Sequence, residues 1–145
     1  MIEFPDASPL ADLGPVGVWA AGFGGMRNDT LSDIAAEIEQ LGYGSVWFPE
    51  SPAGEPFVKS ALVLAATSTL VAGTGIANLW LRHPLTMTAT ARALVDAFPQ
   101  RFLLGVGRSG LSAAAPGLFR LKPKIEIEQL LEKVSGRSRT IVPGN

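Results

Sequence analysis

The sequence predicts an α/β fold built around a parallel sheet, and two features of its 145 residues support this class. Short, nearly continuous apolar runs are typical of strands that helices cover on both faces. An amphipathic segment follows each run, which gives four strand–helix units in succession, about 30 residues apart. Four such units form either a small open sheet or a partial (β/α)8 TIM barrel, and a whole barrel typically needs about 250 residues.

The first unit begins with a strand predicted within residues 14–23, GPVGVWAAGF. After a turn-rich stretch, Thr30 can cap a helix, and Asp33 three residues later makes a weaker form of the capping box. Gly42 would end this helix. The apolar positions that share one helical face are Leu31, Ile34, Ala35, Ile38 and Leu41.

The later units repeat this pattern of strand and helix. The predicted strands are 45–51, which Pro49 and Pro52 end, then 70–78 and 102–107. The predicted helices are 55–68, a segment opened by Pro84 and closed by Pro99, and 124–134. The expected buried positions are Phe57, Leu62 and Ala65 in the first of these helices, and Met87, Ala91, Leu94, Val95 and Phe98 in the second.

Composition and charge exclude several classes of function. With 12 basic and 13 acidic residues and no basic run, nucleic acid and membrane surfaces are not expected partners. Without cysteine there are no disulfides or thiolate nucleophiles, and a single histidine, His83, excludes a histidine-rich metal site. The start of the chain has no signal-peptide pattern, and no apolar run is long enough to span a bilayer. We therefore expect a cytoplasmic protein without a metal.

A literal G-x-G-x-x-G motif, formed by Gly105, Gly107 and Gly110, follows the fourth predicted strand. A Rossmann phosphate site needs the motif after the first strand and at the start of a helix. Here Pro116 interrupts the following stretch after barely one helical turn. Two interpretations remain from the residues alone: glycines that ease a turn, or backbone amides at the end of a barrel strand that face a ligand phosphate.

Two segments, AAEIEQLGYGSVWFPES and VAGTGIANLWLRHPLTMTATARALVDAFPQRFLLGVG, together with their spacing, resemble the bacterial luciferase-like superfamily. The resemblance covers roughly residues 14–110 and is greatest to the oxidoreductases that use the deazaflavin coenzyme F420. It implies a TIM barrel with the cofactor at the carboxyl ends of the strands. It also implies hydride transfer between coenzyme F420, or FMN as the alternative, and a small organic substrate.

The same resemblance implies which residues contact the cofactor. Family members carry a bulge with a non-prolyl cis peptide behind the ring, and the matching bond is Gly75–Ile76. A glycine there lets backbone approach a flat ring closely. In family members, backbone amides after the fourth strand hold the cofactor phosphate. Arg108 lies at this point of the sequence and either adds a charged contact or is a solvated loop residue. The implied cofactor-binding residues are Gly75, Ile76, Asn78, Gly107, Arg108 and Ser109.

Some deazaflavin-dependent relatives carry a histidine at the end of the second strand, where this sequence has Glu50. Glu50 can act there as the catalytic acid or base, or it can be held structurally by Ser51 or a nearby arginine. His83 is expected to cap the third helix rather than to take part in chemistry. Core packing is the default expectation for the tryptophans, although Trp80 is placed where a ring could also lie: Trp19, Trp47 and Trp80.

The resemblance divides the chain into residues 1–110, the N-terminal half of a luciferase-like barrel, and residues 111–145, a divergent segment with one helix and a tail. Three interpretations of this half-barrel stay open. It is a truncated and impaired oxidoreductase, or copies associate as a homodimer to complete the core, or it is a non-catalytic interaction module. A small α/β receiver-type domain is a further alternative, but no acidic cluster follows the first strand.

Overall fold

The computed structural model describes residues 13–107, and the predicted fourth helix, 124–134, lies outside this range. Strands and helices alternate along the described chain, with a short 3-10 helix at Ala21–Gly25 after the first strand. The strands are β1 Gly17–Trp19, β2 Ser45–Phe48, β3 Val71–Thr74, β4 Ala77–Asn78, β5 Phe102–Leu103 and β6 Val106–Gly107. The helices are α1 Asn28–Gln40, α2 Pro56–Ala66 and α3 Pro84–Ala97.

All paired strands run parallel, which confirms the predicted α/β class and the partial barrel of about four units. The main sheet has the order β1-β2-β3-β5, so consecutive units lie side by side. Beyond it, β4 and β6 form a second parallel pair, with Ala77 opposite Val106. The predicted third strand, 70–78, is therefore two strands separated by Gly75 and Ile76, and the predicted fourth strand is likewise divided.

The hydrophobic core lies between one face of the sheet and the three helices. Alternate strand residues, including Val46, Phe48 and Phe102, point to this side and are at most 4% exposed. Each such buried side chain contributes about 1.5–3 kcal/mol relative to an exposed one. The helical residues that complete the core are Leu31, Ala35, Ile38, Phe57, Val63, Leu64, Met87, Ala91 and Leu94.

The other face of the sheet is shaped by one indole ring. Trp47 lies opposite Gly73 in the register of β2 and β3, and a Cβ atom added to Gly73 would come within 2.5 Å of the Trp47 ring. A Cβ added to Gly17 on β1 would overlap the Ser45 hydroxyl and approach the Trp47 nitrogen. Glycines on both neighbouring strands therefore make the room that the Trp47 side chain occupies.

Several local expectations from the sequence are wrong. The helix α1 begins at Asn28, so Thr30 lies inside its first turn, where Asp29 pairs with Arg27 and accepts the Thr30 N–H. The first strand lies within the predicted 14–23 but covers only Gly17–Trp19, because Ala21–Gly25 form the 3-10 helix. Leu41 is 68% exposed because the helix has already ended there, and Ala65 is also exposed.

Helix ends elsewhere follow the expectations. Gly42 has φ of +84°, the left-handed conformation that ends α1. Pro84 opens α3, and the preceding His83 accepts the Leu85 N–H at Nδ1 over 3.3 Å. His83 therefore caps this helix, as predicted. The expected apolar face of α3 is also confirmed: Met87, Ala91 and Leu94 are buried, while Val95 and Phe98 pack against the core.

The break in the third and fourth strands is bridged by one side chain. The β3–β5 pairing ends at Gly73 and Leu103, and the β4–β6 pairing begins at Ala77. Between them the fully buried Thr74 hydroxyl donates to the Gly105 carbonyl over 2.7 Å and accepts the Gly105 N–H over 2.9 Å. The Gly105 carbonyl also accepts the Ala77 N–H over 2.8 Å, so both backbone groups of Gly105 are satisfied, the N–H by the Thr74 hydroxyl.

Replacing Thr74 with valine keeps the side-chain shape and removes the hydroxyl. We expect Thr74→Val to lower the free energy of unfolding by about 1–3 kcal/mol, because the buried Gly105 N–H loses its acceptor. Thr74→Ser retains the hydroxyl and serves as the control, with a smaller loss from the missing methyl group. Urea unfolding of both variants measures the difference. A valine variant as stable as the serine variant would contradict this role for the hydroxyl.

Glu39, near the end of α1, holds the turn before β3. Its carboxylate accepts the N–H groups of Ser68, Thr69 and Leu70 at distances from 2.6 to 3.2 Å. Burial acts to raise the pKa of the Glu39 carboxyl, but these hydrogen bonds outweigh it and the pKa lies below its ordinary value. The ionised carboxylate therefore stabilises the folded state.

The stabilisation from Glu39 depends on pH in a defined direction. Because the folded-state pKa is lowered, the contribution is fully present above the unfolded pKa of about 4.3 and is lost as pH falls through the folded value. We expect the stability difference between the wild type and Glu39→Gln to shrink as pH falls below about 5. Denaturant unfolding at several pH values measures it, with Glu37→Gln, on the exposed side of α1, as the control. A difference that stays constant with pH would be inconsistent with the proposed ionic contribution.

Candidate functional site

The polar groups at the carboxyl ends of the strands form one continuous rim. The Gly75 N–H donates to the Phe48 carbonyl over 2.8 Å, and the Glu50 N–H donates to the Ile76 carbonyl over 3.1 Å. The peptide bond between Gly75 and Ile76 is cis, as the family resemblance implied. Backbone bonds thus join the ends of the second and third units directly around this bond.

The ends of the third and fourth units meet in the same way. Asn78 lies opposite Gly107 in the β4–β6 register, and the Leu79 N–H donates to the Gly107 carbonyl over 3.1 Å. A Cβ atom added to Gly107 would lie 3.4 Å from the Ile76 side chain. Gly75, Ile76, Asn78 and Gly107 therefore share one rim of the sheet, whereas Arg108 and Ser109 lie outside the described residues.

Trp19 lies at the end of β1 and reaches across to this rim. Its indole N–H donates to the Gly75 carbonyl over 2.9 Å, and the residue is 57% exposed. A Cβ atom on Gly75 would lie 3.2 Å from the Trp19 ring. The expectation that Trp19 packs in the core is wrong: the residue ends β1, an edge strand of the described sheet, and more than half of its surface is exposed. Trp47 and Trp80 are half-buried.

Glu50 is held by an arginine that follows the third strand. The Glu50 side chain is 8% exposed, and Arg82 donates to one of its oxygens from Nε over 2.9 Å and from Nη2 over 2.5 Å. The other oxygen accepts the Asn78 N–H over 2.5 Å. The structural pairing that the sequence left open for Glu50 is thus present, and a role for Glu50 as acid or base stays a prediction.

Arg82 links three segments of the rim. It also pairs with Glu55, which caps α2 by accepting the Val58 N–H over 2.5 Å, and its guanidinium lies 4.6 Å from the centre of the Phe57 ring. Burial acts to lower the pKa of Arg82, but the two carboxylates outweigh it and the pKa is raised. The guanidinium therefore stays charged between the two carboxylates that it binds.

Asn78 is fully buried and orders the loop that follows it. Its side-chain oxygen accepts the Trp80 N–H over 3.0 Å, while its own N–H is bound by Glu50. The asparagine thus supports the rim through backbone contacts. In the described structure its role is to fix the chain between β4 and Arg82, and contact with a cofactor stays a prediction.

Lys59 fixes the loop that follows β1. This α2 residue is 8% exposed, and its ammonium group donates to the Met26 carbonyl over 2.6 Å and to the Asn28 side chain over 2.9 Å. A buried ammonium group needs such acceptors to remain inside a protein. Lys59 thus holds the loop between the first strand and α1 against α2.

Three residues that organise the rim were not predicted from the sequence: Thr74, Arg82 and Lys59. A signal existed for Arg82, because loops after neighbouring parallel strands meet at one rim and carry opposite charges here. Glu50 and Glu55 follow the second strand, and Arg82 follows the third. Neither Thr74 nor Lys59 has a comparable signal, since Thr74 binds only backbone groups of Gly105, and Lys59 binds the Met26 carbonyl and the uncharged Asn28 side chain.

Some classes of site are absent from the described range. Between residues 13 and 107, no group of three or more histidine, aspartate or glutamate side chains is placed to hold a metal ion. No helix in that range is long and apolar enough to cross a membrane.

A half-barrel of parallel strands with its polar groups gathered at their carboxyl ends defines an α/β protein of barrel type. The family model described as luciferase-like monooxygenase matches residues 15–134 of the chain. The chain belongs to this family. The match continues beyond residue 110, where the resemblance recognised from the sequence ended. A search of curated proteins finds no match.

Solved structures share the fold. A coenzyme F420-dependent tetrahydromethanopterin reductase from Methanopyrus kandleri is similar with a TM-score of 0.68 and 17% identity, over 88% of this chain and 40% of that one. Apo-MsnO8 has a TM-score of 0.64 and 23% identity, over 87% of this chain and 39% of that one. The oxygenating constituent of 3,6-diketocamphane monooxygenase from Pseudomonas putida, in complex with FMN, has a TM-score of 0.63 and 15% identity, over 81% and 36%. The chain thus spans at most 40% of the length of these proteins.

Removing the rim arginine should destabilise the fold. We expect Arg82→Ala to lower the free energy of unfolding by about 3 kcal/mol, the lower end of the range for breaking a buried pair, because Glu50 is left without its cation. Arg82→Lys should recover part of this loss, since it keeps the charge without the two-pronged contact. Thermal and urea unfolding measure both changes.

A matched control comes from the exposed ion pair at the start of α1. Arg27 is 82% exposed, so Arg27→Ala should change stability little. Equal losses of unfolding free energy in Arg82→Ala and Arg27→Ala would show that the rim pair contributes no more to stability than an exposed ion pair.

Proposed function

We propose that this chain provides part of the cofactor-binding rim of a luciferase-type oxidoreductase or monooxygenase. The reaction class is hydride transfer between a flavin-type cofactor and a small organic substrate. Coenzyme F420 is the first candidate for the cofactor and FMN the alternative, because one similar structure is named for coenzyme F420 and another contains FMN.

One observation carries this proposal: half-buried glycine backbone and an exposed indole ring lie together at the carboxyl ends of the strands. Gly75 and Gly107 present no side chain there, and Trp19 lies beside Gly75 with more than half of its surface accessible. Ligands of barrel folds bind at this end of the strands. Flat backbone with an aromatic neighbour fits a planar heteroaromatic ring, which needs close approach and apolar contact.

Bound at this rim, a flavin or deazaflavin would supply the hydride-carrying ring. The backbone at Gly75 and Ile76 would support the ring, and the amide of Gly107 would lie on the side where the resemblance places the phosphate. Arg82 and Glu50 would fix the loops around the ring. With its two oxygens bound to Arg82 and the Asn78 N–H, Glu50 would hold the Arg82 side chain and the backbone at Asn78 in place.

A second function is supported by the edge position of β1 in the described sheet. Trp19 on β1 is 57% exposed, and Val16, directly before β1, is 55% exposed. Unprotected edge strands favour pairing with another chain. A catalytically inactive family member that self-associates, as a homodimer or as an interaction module, is therefore the alternative to the oxidoreductase.

Titration with the two cofactors tests the oxidoreductase proposal. We expect coenzyme F420 or FMN to bind with a dissociation constant in the micromolar range, seen as a change in cofactor fluorescence. Gly22→Ala serves as a control of unaltered binding, because a Cβ atom there meets nothing within 4 Å. Absence of binding for both cofactors at high micromolar concentration would refute the proposal.

Light scattering after size exclusion distinguishes the self-associating module from the oxidoreductase. A dimer that binds neither cofactor would favour the interaction module, whereas a monomer that binds one of them would exclude self-association as a requirement for binding.

A further inference from the structure

We propose that Trp19 is a positioning residue for the planar ring of the cofactor, an inference that rests on the proposed function. The exposed surface of its indole would contact the ring at the edge nearest β1. The bond from its N–H to the Gly75 carbonyl would hold the indole in the orientation for this contact.

The register of the sheet places Trp19 on the face that carries Trp47. Trp19 lies opposite Trp47, and Trp47 lies opposite Gly73, so these three residues share one face. Gly75 follows Gly73 by two residues along the same chain direction. Because Gly75 has no side chain, the Trp19 ring can lie close to its backbone. A Cβ atom built on Gly75 would be only 3.2 Å from the Trp19 ring.

The two indoles on this face are held differently. Trp47 donates its N–H to Ser45 on its own strand, over 3.1 Å, and fills the space above Gly73. Trp19 donates across two strands to a rim carbonyl and stays 57% exposed. Trp47 is thus a packing residue, whereas Trp19 is fixed at the rim with its surface accessible.

A fixed but exposed tryptophan is suited to binding. Its large apolar ring gains free energy when a partner covers it, and few rotatable bonds remain to be ordered because the N–H is already bound. The position next to Gly75 favours a planar small molecule over a protein segment, since Gly75 itself presents backbone without a side chain. Offset stacking or edge-to-face contact with a heteroaromatic ring is the geometry that this surface permits.

Substitutions at Trp19 test the inference through cofactor binding. The dissociation constants of FMN and coenzyme F420 are measured by cofactor fluorescence for wild type, Trp19→Ala and Trp19→Phe. We expect binding to weaken by about tenfold for alanine, which removes the ring, and by a smaller factor for phenylalanine, which keeps a ring without the N–H. Val16→Ala, directly before the same edge strand and 55% exposed, should bind as the wild type does.

A second readout distinguishes ring contact from a general structural effect. Quenching of tryptophan emission on cofactor binding should fall in Trp19→Phe, while thermal unfolding should shift by a few degrees at most in both variants. Phenylalanine keeps the test valid if the alanine variant does not fold.

The outcomes separate the two proposals. If neither the wild type nor any variant binds FMN or coenzyme F420, the proposed function fails and the inference fails with it. If the wild type binds and Trp19→Ala binds equally well, the proposed function stands and the role of Trp19 is refuted. If Trp19→Ala changes only the oligomeric state in light scattering, Trp19 belongs to a protein interface and the inference is likewise overturned.

Discussion

The hydrogen-bonded contact between Thr74 and Gly105 is the constraint on which the rim depends. At this level the Thr74 hydroxyl serves both the N–H and the carbonyl of Gly105, and the same carbonyl accepts the Ala77 N–H. A Cβ atom at Gly105 would overlap the Thr74 carbonyl, so the contact also requires glycine. Because β4 and β6 start just beyond it, this contact sets where the rim backbone lies.

A second set of interactions, the ion pairs of Arg82, joins the loops that leave the rim. Arg82 pairs with Glu50 after β2 and with Glu55 at the start of α2, so ion pairs connect the loops of two neighbouring units. The pair lies partly buried against the Phe57 ring, where the charges are less screened than on an open surface. Thr74 thus fixes the backbone inside the strands, and Arg82 fixes the chain outside them.

The strand–helix order was predictable because it depends on local periodicity. Helix α3 shows this best: Pro84, the cap at His83 and the apolar spacing from Met87 to Phe98 all agreed with the structure. Predictions failed where contacts with other residues decide where a helix begins or how exposed a side chain is. Thr30 is a good capping residue, yet α1 starts two residues earlier, with Asp29 and Arg27 bound in its first turn. The exposure of Trp19 follows from the edge position of β1, which no local pattern reports.

The sequence by itself determined the class of fold, the family and the rim that carries Gly75 and Gly107, since apolar periodicity, prolines and an ordered set of motifs are all read along the chain. Only the tertiary structure decided which groups meet at that rim. Glu50 and Arg82 are 32 residues apart, and Thr74 and Gly105 are 31 apart. Such pairs form because strand register and helix packing bring distant residues within hydrogen-bonding distance, and that geometry is absent from any local stretch of sequence.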